Sequence, residues 1–186
     1  MKIKKKKFDK NSGIVFWVTG LAGSGKTRTA KILVKKLSKD IGPTLIFSGD
    51  DLRKIFELKG YDYNERSKIV KTYSDFINFV LKQKINLVFA VIGMMDHART
   101  YNKKIFKNYF EIYIKTNYSI LKKNNKKKLY AGKKANVVGK DIKPEFPKNP
   151  DLVFNNNFKK DLKKQVDLLY TKIKKKLPNA FSAKII

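Results

Sequence analysis

Eight consecutive residues carry most of the chemistry open to this chain. Gly20-Leu21-Ala22-Gly23-Ser24-Gly25-Lys26-Thr27 matches the spacing GxxxxGK[ST]. In that pattern glycines turn backbone N–H groups inward around phosphates, the lysine reaches the β and γ oxygens, and the hydroxyl ligates Mg²⁺. An apolar β-branched stretch precedes the run and an amphipathic one follows it, the context such a cradle requires. ATP and Mg²⁺ are the ligands this implies.

A second cluster is Phe47-Ser48-Gly49-Asp50-Asp51-Leu52-Arg53, which brings two carboxylates and a guanidinium to the end of another apolar run. Asp50 could accept a proton from an attacking hydroxyl or hold the water shell of the metal, and Arg53 could grip the phosphate of an acceptor. Asp51 reads as the N-cap of the following helix. A third apolar run ends Val91-Ile92-Gly93-Met94-Met95-Asp96 with no acidic residue directly at its end. That favours a small-molecule kinase over a hydrolytic ATPase with a second metal carboxylate. Asp96 reads as a helix cap, and His97 has no evident partner.

Short apolar runs alternating with longer amphipathic ones must position these groups, a pattern that argues for a parallel sheet covered by helices. Strands are expected at Ile14–Thr19, Thr44–Phe47, Leu87–Ile92, Phe110–Ile114 and Leu152–Phe154. Helices are expected near Lys26–Lys39, Asp51–Phe56, Asn64–Gln83, His97–Lys107, Tyr118–Lys123 and Lys159–Lys176. The expected fold is α/β, a three-layer P-loop NTPase fold with a mainly parallel five-stranded sheet and a lid. Residues 1–186 read as one domain, with a basic N-terminal tail over 1–12. The stretch 124–150, rich in Lys, Gly and Pro, reads as a mobile lid and its following loop. Residues 178–186, after a helix stopped by Pro178, read as a loosely held tail.

Composition narrows the classes further. The 186 residues include no Cys, which excludes disulfides, thiolate metal sites and cysteine nucleophiles, and one His, which excludes a His-rich metal site. With 42% hydrophobic residues the chain has a core despite a formal charge of +29. That charge fits either polyanion binding or drift toward AT-rich codons, because only four of the 44 cations are Arg. Those four, Arg28, Arg53, Arg66 and Arg99, keep the bidentate fork suited to phosphate or carboxylate. Neither a signal peptide nor a membrane-spanning run is visible, so a cytoplasmic location is expected.

From about Gly13 to Asn157 the sequence resembles adenylylsulfate kinases, P-loop enzymes that phosphorylate the 3′-hydroxyl of adenosine 5′-phosphosulfate. The anchors are Phe16 to Thr27, Gly49-Asp-Asp-Leu-Arg53, Gly60-Tyr61 followed by Arg66, Leu129-Tyr130, and Gly139 leading to Pro147-Lys-Asn-Pro-Asp-Leu-Val153. The resemblance implies that Asp50, the second Asp of the family's Asp-Gly-Asp turn, is the catalytic base, and that Ser48 replaces the first. It implies that Arg53 and Arg66 hold the acceptor nucleotide and that Tyr61 stacks on its base. Ile92, Lys134 and Val137 fall on the same acceptor side. It further implies ATP and Mg²⁺ as donor and metal, a nucleotide as the small-molecule partner, and a possible homodimer.

The departures also fall on the acceptor side. The family's Asn after Arg66 is replaced, by Ile69 in this reading, and Val137 stands where the lid has its second aromatic. The family's Arg-Asp pair before the lid reads Asn124-Asn125, and the Ser-Pro-Phe-Arg after the third strand reads Gly93-Met94-Met95-Asp96. These changes are similar to a divergent branch tied to capsule synthesis, some of whose members phosphorylate cytidine diphosphoramidate. Adenylylsulfate and a cytidine nucleotide are both open as acceptors. A nucleic-acid-binding P-loop protein is the expectation from a different class.

Overall fold

A computed structural model describes residues 6, 8–123, 129, 130, 132 and 135–182. Five strands form one parallel sheet: β1 (Val15–Thr19), β2 (Thr44–Ser48), β3 (Asn86–Val91), β4 (Tyr109–Lys115) and β5 (Leu152–Asn155), in the order β2-β3-β1-β4-β5. Each agrees with its expected run to within a residue at either end. Between them lie α1 (Lys26–Ile41), α2 (Gly49–Ile55), α3 (Tyr63–Lys82), α4 (Asp96–Ile105) and α5 (Tyr118–Lys123), and after β5 come α6 (Leu162–Lys176) and α7 (Pro178–Phe181).

The alternation of strand side chains builds two cores. Ile14, Phe16 and Val18 point to one face with Val88, Ala90, Phe110 and Ile112, where α1, α6 and α7 cover them. Val15 and Trp17 point to the other with Leu87, Phe89 and Val91, beneath α2, α3 and α4. Helices on both faces explain why strands buried on both sides read as unbroken apolar runs rather than alternating ones. Among the described residues no helix is long and apolar enough to cross a membrane.

Both expected tails are partly built into this packing. Phe8 packs against the first core, Asp9 N–H donates to Asn108 Oδ1 at 2.9 Å, and Ser12 is buried. At the other end Pro178 does not release the chain. It starts α7, whose Ala180 is buried in the first core and whose Phe181 lies edge-on to Tyr170. Proline suits a first helical turn, where its missing N–H has no partner to lose.

One charged residue interrupts the second core. Glu111 pairs in register with Trp17 on β1, is 2% exposed, and burial raises its carboxyl above the usual carboxylate range although Arg99 and Lys103 pull the other way. A carboxyl raised by folding stabilises the fold below its unfolded pKa, and that contribution is lost as pH climbs through the raised value. Glu111→Gln is therefore expected to gain stability relative to wild type as pH rises from the ordinary carboxylate value toward neutrality. Urea melts of both proteins across that window check this, and a pH-independent difference contradicts it.

Candidate active site

Strand β1 delivers the chain into the phosphate loop, and α1 receives it. Gly25, the N-cap of α1, takes φ 93, a left-handed conformation open to glycine, and a Cβ there would stand 2.6 Å from Asn156 Nδ2. Gly20 is equally committed, since its Cβ would lie 2.7 Å from the Ile114 carbonyl oxygen. Leu21 and Ser24 are buried, Ala22, Gly25 and Lys26 are half-buried, and Gly23 and Thr27 are exposed. Lys26 Nζ donates to Leu21 O at 2.8 Å, which holds the ammonium across the loop.

Two side chains brace the loop from beneath. Asn156, buried just past β5, donates from Nδ2 to Ser24 O at 2.9 Å. Tyr130 donates its hydroxyl to Ala22 O at 2.9 Å, and burial pushes that phenol up to about 12. Leu21, Met94, Leu121, Tyr130, Val137 and Val138 make a third apolar cluster at this end of the sheet.

The acidic turn stands level with the loop because the register requires it. Ser48 on β2 pairs with Ala90, and Ala90 pairs with Val18 on β1. Two strand steps of about 4.8 Å therefore separate the two backbones, roughly 10 Å. Ser48, not Asp51, is the N-cap of α2. Asp51 N–H donates to Ser48 Oγ at 3.2 Å, and Ser48 N–H donates to Asp51 Oδ2 at 2.7 Å, a reciprocal capping box. The direction of the bonds decides this, because a cap side chain accepts from an N–H three residues forward, as Ser48 does, whereas the Asp51 carboxylate accepts backward from Ser48 N–H. Asp51 is thereby committed to the helix end, and Asp50 is left exposed in the first turn. Tyr73 on α3 steadies this turn by donating to Gly49 O at 2.9 Å, and burial pushes its hydroxyl up to about 12.

Tyr61 lies where α2 hands over to α3, and two guanidiniums converge on it. Arg53 Cζ is 4.3 Å and Arg66 Cζ 5.3 Å from the ring centroid. Arg53 Nη1 donates to Leu58 O and Gly60 O, so it also holds the loop that carries Tyr61. Arg66 donates from Nε to Tyr61 O and from Nη2 to Asn136 O, spanning from α3 to the lid stretch. Burial first, and then repulsion from Arg53, lower the Arg66 guanidinium below its ordinary value. Ile69 is a core residue of α3, 4% exposed.

The expected second wall of a base pocket is placed differently. Val137 is 6% exposed and packs in the third cluster with Leu21 and Tyr130, a cluster that does not include Tyr61. An aliphatic side chain beside Leu21 gains more from that apolar contact than from standing in an open cleft. Ile92 is half-buried against the same cluster. Lys134 lies outside the described residues, as do Asn124 and Asn125.

Asp96 does not cap α4, and His97 has a partner. Met95 is the N-cap of α4 and Asp96 its first residue, held by Arg99 Nη2, whose hydrogen bond keeps the carboxyl below its usual range. Arg99 is 5% exposed and also donates to Glu145 O, so its fork serves the chain's own carboxylate and carbonyls. His97 Nε2 is 2.8 Å from Ser67 Oγ.

The family model for adenylylsulphate kinase matches residues 12–155, a span that takes in the phosphate loop, the acidic turn, Arg53 and Arg66. The chain belongs to the adenylylsulphate kinase family. Within the family it is 35% identical over 170 residues to the cytidine diphosphoramidate kinase of Campylobacter jejuni subsp. jejuni serotype O:2, covering 88% of this chain and 98% of that one. It is 25% identical over 178 residues to the adenylyl-sulfate kinase of Buchnera aphidicola subsp. Acyrthosiphon pisum, covering 91% and 86%. The Mycobacterium tuberculosis APS kinase, solved in complex with AMPPNP and APS, shares the fold with a TM-score of 0.79 at 23% identity, over 88% of this chain and 98% of that one. Family membership makes the chain a kinase, a phosphotransferase.

Three residues that brace this kinase site escaped notice as braces in the sequence. Tyr73 was hidden in the apolar stripe of α3, and Asn156 in an Asn run that reads as composition. Tyr130 was visible only as part of the family resemblance. The one available signal was position, since Asn156 immediately follows a strand on the edge where such folds bind ligands.

Proposed function

We propose that this kinase transfers the γ-phosphoryl of ATP to the 3′-hydroxyl of an activated nucleotide, in the manner of an adenylylsulfate kinase. The observation that carries the reading is the convergence of Arg53 and Arg66 on Tyr61, beside the Asp50 turn and across from an intact phosphate loop. Two like charges on one ring form a slot that an anionic nucleotide neutralises while its base meets an aromatic face.

Each residue then has a task. Loop N–H groups and Lys26 hold and neutralise the donor's phosphates as charge moves toward the bridging oxygen. Asp50, exposed at the start of α2, accepts the proton of the attacking hydroxyl. Arg53 and Arg66 hold the acceptor's phosphate and so orient its ribose. For Mg²⁺, the hydroxyl of Thr27, an exposed residue in the first turn of α1, fits an ion that takes few protein ligands and completes its shell with phosphate oxygens and water. Bound there, the ion would neutralise charge on the donor phosphates.

The acceptor is either adenylylsulfate or a cytidine nucleotide such as cytidine diphosphoramidate. Two observations favour the second: the 35% identity to the Campylobacter jejuni relative, and Val137 buried where the family's adenine sandwich has an aromatic. ADP release with Mg-ATP, measured against both acceptors and against RNA and DNA, tests the reading. Release that depends on a nucleotide acceptor supports it, and stimulation by RNA or DNA alone contradicts it.

Either Arg53→Ala or Arg66→Ala is expected to raise the acceptor's KM by a factor corresponding to roughly 1.5–3 kcal/mol for a lost charged hydrogen bond, with KM for ATP unchanged. Lys at either position should rescue poorly, because an ammonium lacks the planar fork that puts Arg66 Nε on Tyr61 O and Nη2 on Asn136 O, and the flat guanidinium whose Cζ Arg53 holds 4.3 Å from the Tyr61 centroid. Steady-state kinetics with each substrate varied separately checks this, and a shift confined to KM for ATP contradicts it.

A further inference from the structure

One exposed aromatic at the phosphate loop has no task in the mechanism above. Phe158, three residues beyond β5, is 39% exposed and holds φ 61, a left-handed backbone that a bulky side chain rarely adopts. The conformation is fastened. Phe158 N–H donates to Asn156 Oδ1 at 3.2 Å, while the same amide's Nδ2 donates to Ser24 O at 2.9 Å. Asn156 itself is 3% exposed. One buried amide thus ties the phosphate loop and the Phe158 turn together. A Cβ built on Gly25 would lie 3.7 Å from Phe158 Cε1, so the ring edge lies beside the N-cap of α1.

The sheet order gives this ring a side. Asp50, Arg53, Tyr61 and Arg66 come from the segment after β2, and β3 and β1 separate that strand from β4 and β5. A donor whose terminal phosphate faces Asp50 leaves its nucleoside on the other side of the loop, above β4 and β5. Phe158 stands there, and among the described exposed aromatics it is the one that abuts a phosphate-loop glycine. Strain retained in an exposed aromatic, and held by a buried hydrogen bond, is better explained by a ligand than by packing.

We propose that Phe158 is the platform on which the purine base of the phosphoryl donor stacks, and that Asn156 is the positioning residue that fixes the platform relative to the phosphates. The proposal rests on the kinase reading for the identity of the donor but not on any acceptor.

Calorimetry on the full chain with Mg²⁺ tests it, using AMPPNP and inorganic triphosphate as two ligands that share phosphates and differ in the base. Phe158→Ala should weaken AMPPNP by about ten-fold, the order expected for one lost base stack, and leave triphosphate within about two-fold. Phe158→Trp should retain AMPPNP affinity. Phe158→Gly, which accepts the left-handed backbone without strain, should reproduce the alanine result and so separates stacking from folding. Asn156→Ala should weaken both ligands, because it frees the loop together with the platform. Unchanged AMPPNP affinity in Phe158→Ala, or an equal loss of both ligands, overturns the platform. Unchanged triphosphate affinity in Asn156→Ala overturns the positioning role. No acceptor is present, so a wrong acceptor assignment leaves these results untouched, whereas wild type that binds neither ligand refutes the kinase reading itself.

Discussion

Replacing Lys26 with alanine is expected to lower turnover by roughly a hundred-fold or more while leaving the melting temperature close to that of wild type. The ammonium is half-buried, bridges to Leu21 O at 2.8 Å across the loop, and belongs to none of the three apolar clusters. In the proposed mechanism its charge acts on phosphate oxygens, so its loss is felt in the transition state, where charge on the transferred group changes most. Arginine carries the charge but not the length or shape, so Lys26→Arg should recover little. A Lys26→Ala protein that keeps more than about a tenth of wild-type turnover contradicts the role, because a donor that stabilises a transferred phosphoryl group is worth on the order of a hundred-fold or more.

Asp50→Asn should remove most of kcat and leave ATP affinity nearly unchanged, because the amide keeps the shape and cannot accept the proton. The structure sharpens this contrast. Asp51, its neighbour, is committed to the capping box with Ser48, and Asp96 is held by Arg99. Asp51→Asn should therefore act mainly on stability, by about 1 kcal/mol for a weakened helix cap, with kcat largely kept. Single-turnover rates of both variants, alongside their urea midpoints, separate the two carboxylates. Wild-type kcat in Asp50→Asn would move the base to another residue.

Much of this architecture was legible because parallel strands buried on both faces leave uncharged β-branched runs that little else produces. Ile14 to Thr19 and Leu87 to Ile92 are examples, and the phosphate loop between β1 and α1 is marked by glycines whose backbone angles admit few substitutes. The acidic turn was legible as a cluster but not in its division of labour. Ser48 and Asp51 exchange two hydrogen bonds, and a sequence shows the three-residue spacing without showing which partner sits outside the helix.

Side chains whose roles depend on distant contacts were not legible. Val137 is drawn down onto Leu21 by a turn over residues 137–142, in which Gly139 N–H bonds Ile142 O at 2.8 Å. Asn156 braces a loop 132 positions away in the chain. Pro178 looked like an ending, and the apolar Ala180 and Phe181 after it made it the start of one more packed turn.

In the proposed reaction phosphoryl passes from ATP to a ribose hydroxyl of an activated nucleotide at the site formed by Lys26, Asp50, Arg53 and Arg66. The most direct test incubates the full chain with Mg²⁺, γ-labelled ATP and either adenylylsulfate or cytidine diphosphoramidate, and locates the label by phosphorus NMR. Label on the 3′-oxygen of an acceptor, formed in step with ADP and much more slowly by Asp50→Asn, is the expected result. Label recovered only as inorganic phosphate, or ADP formed at the same rate without acceptor, would contradict it.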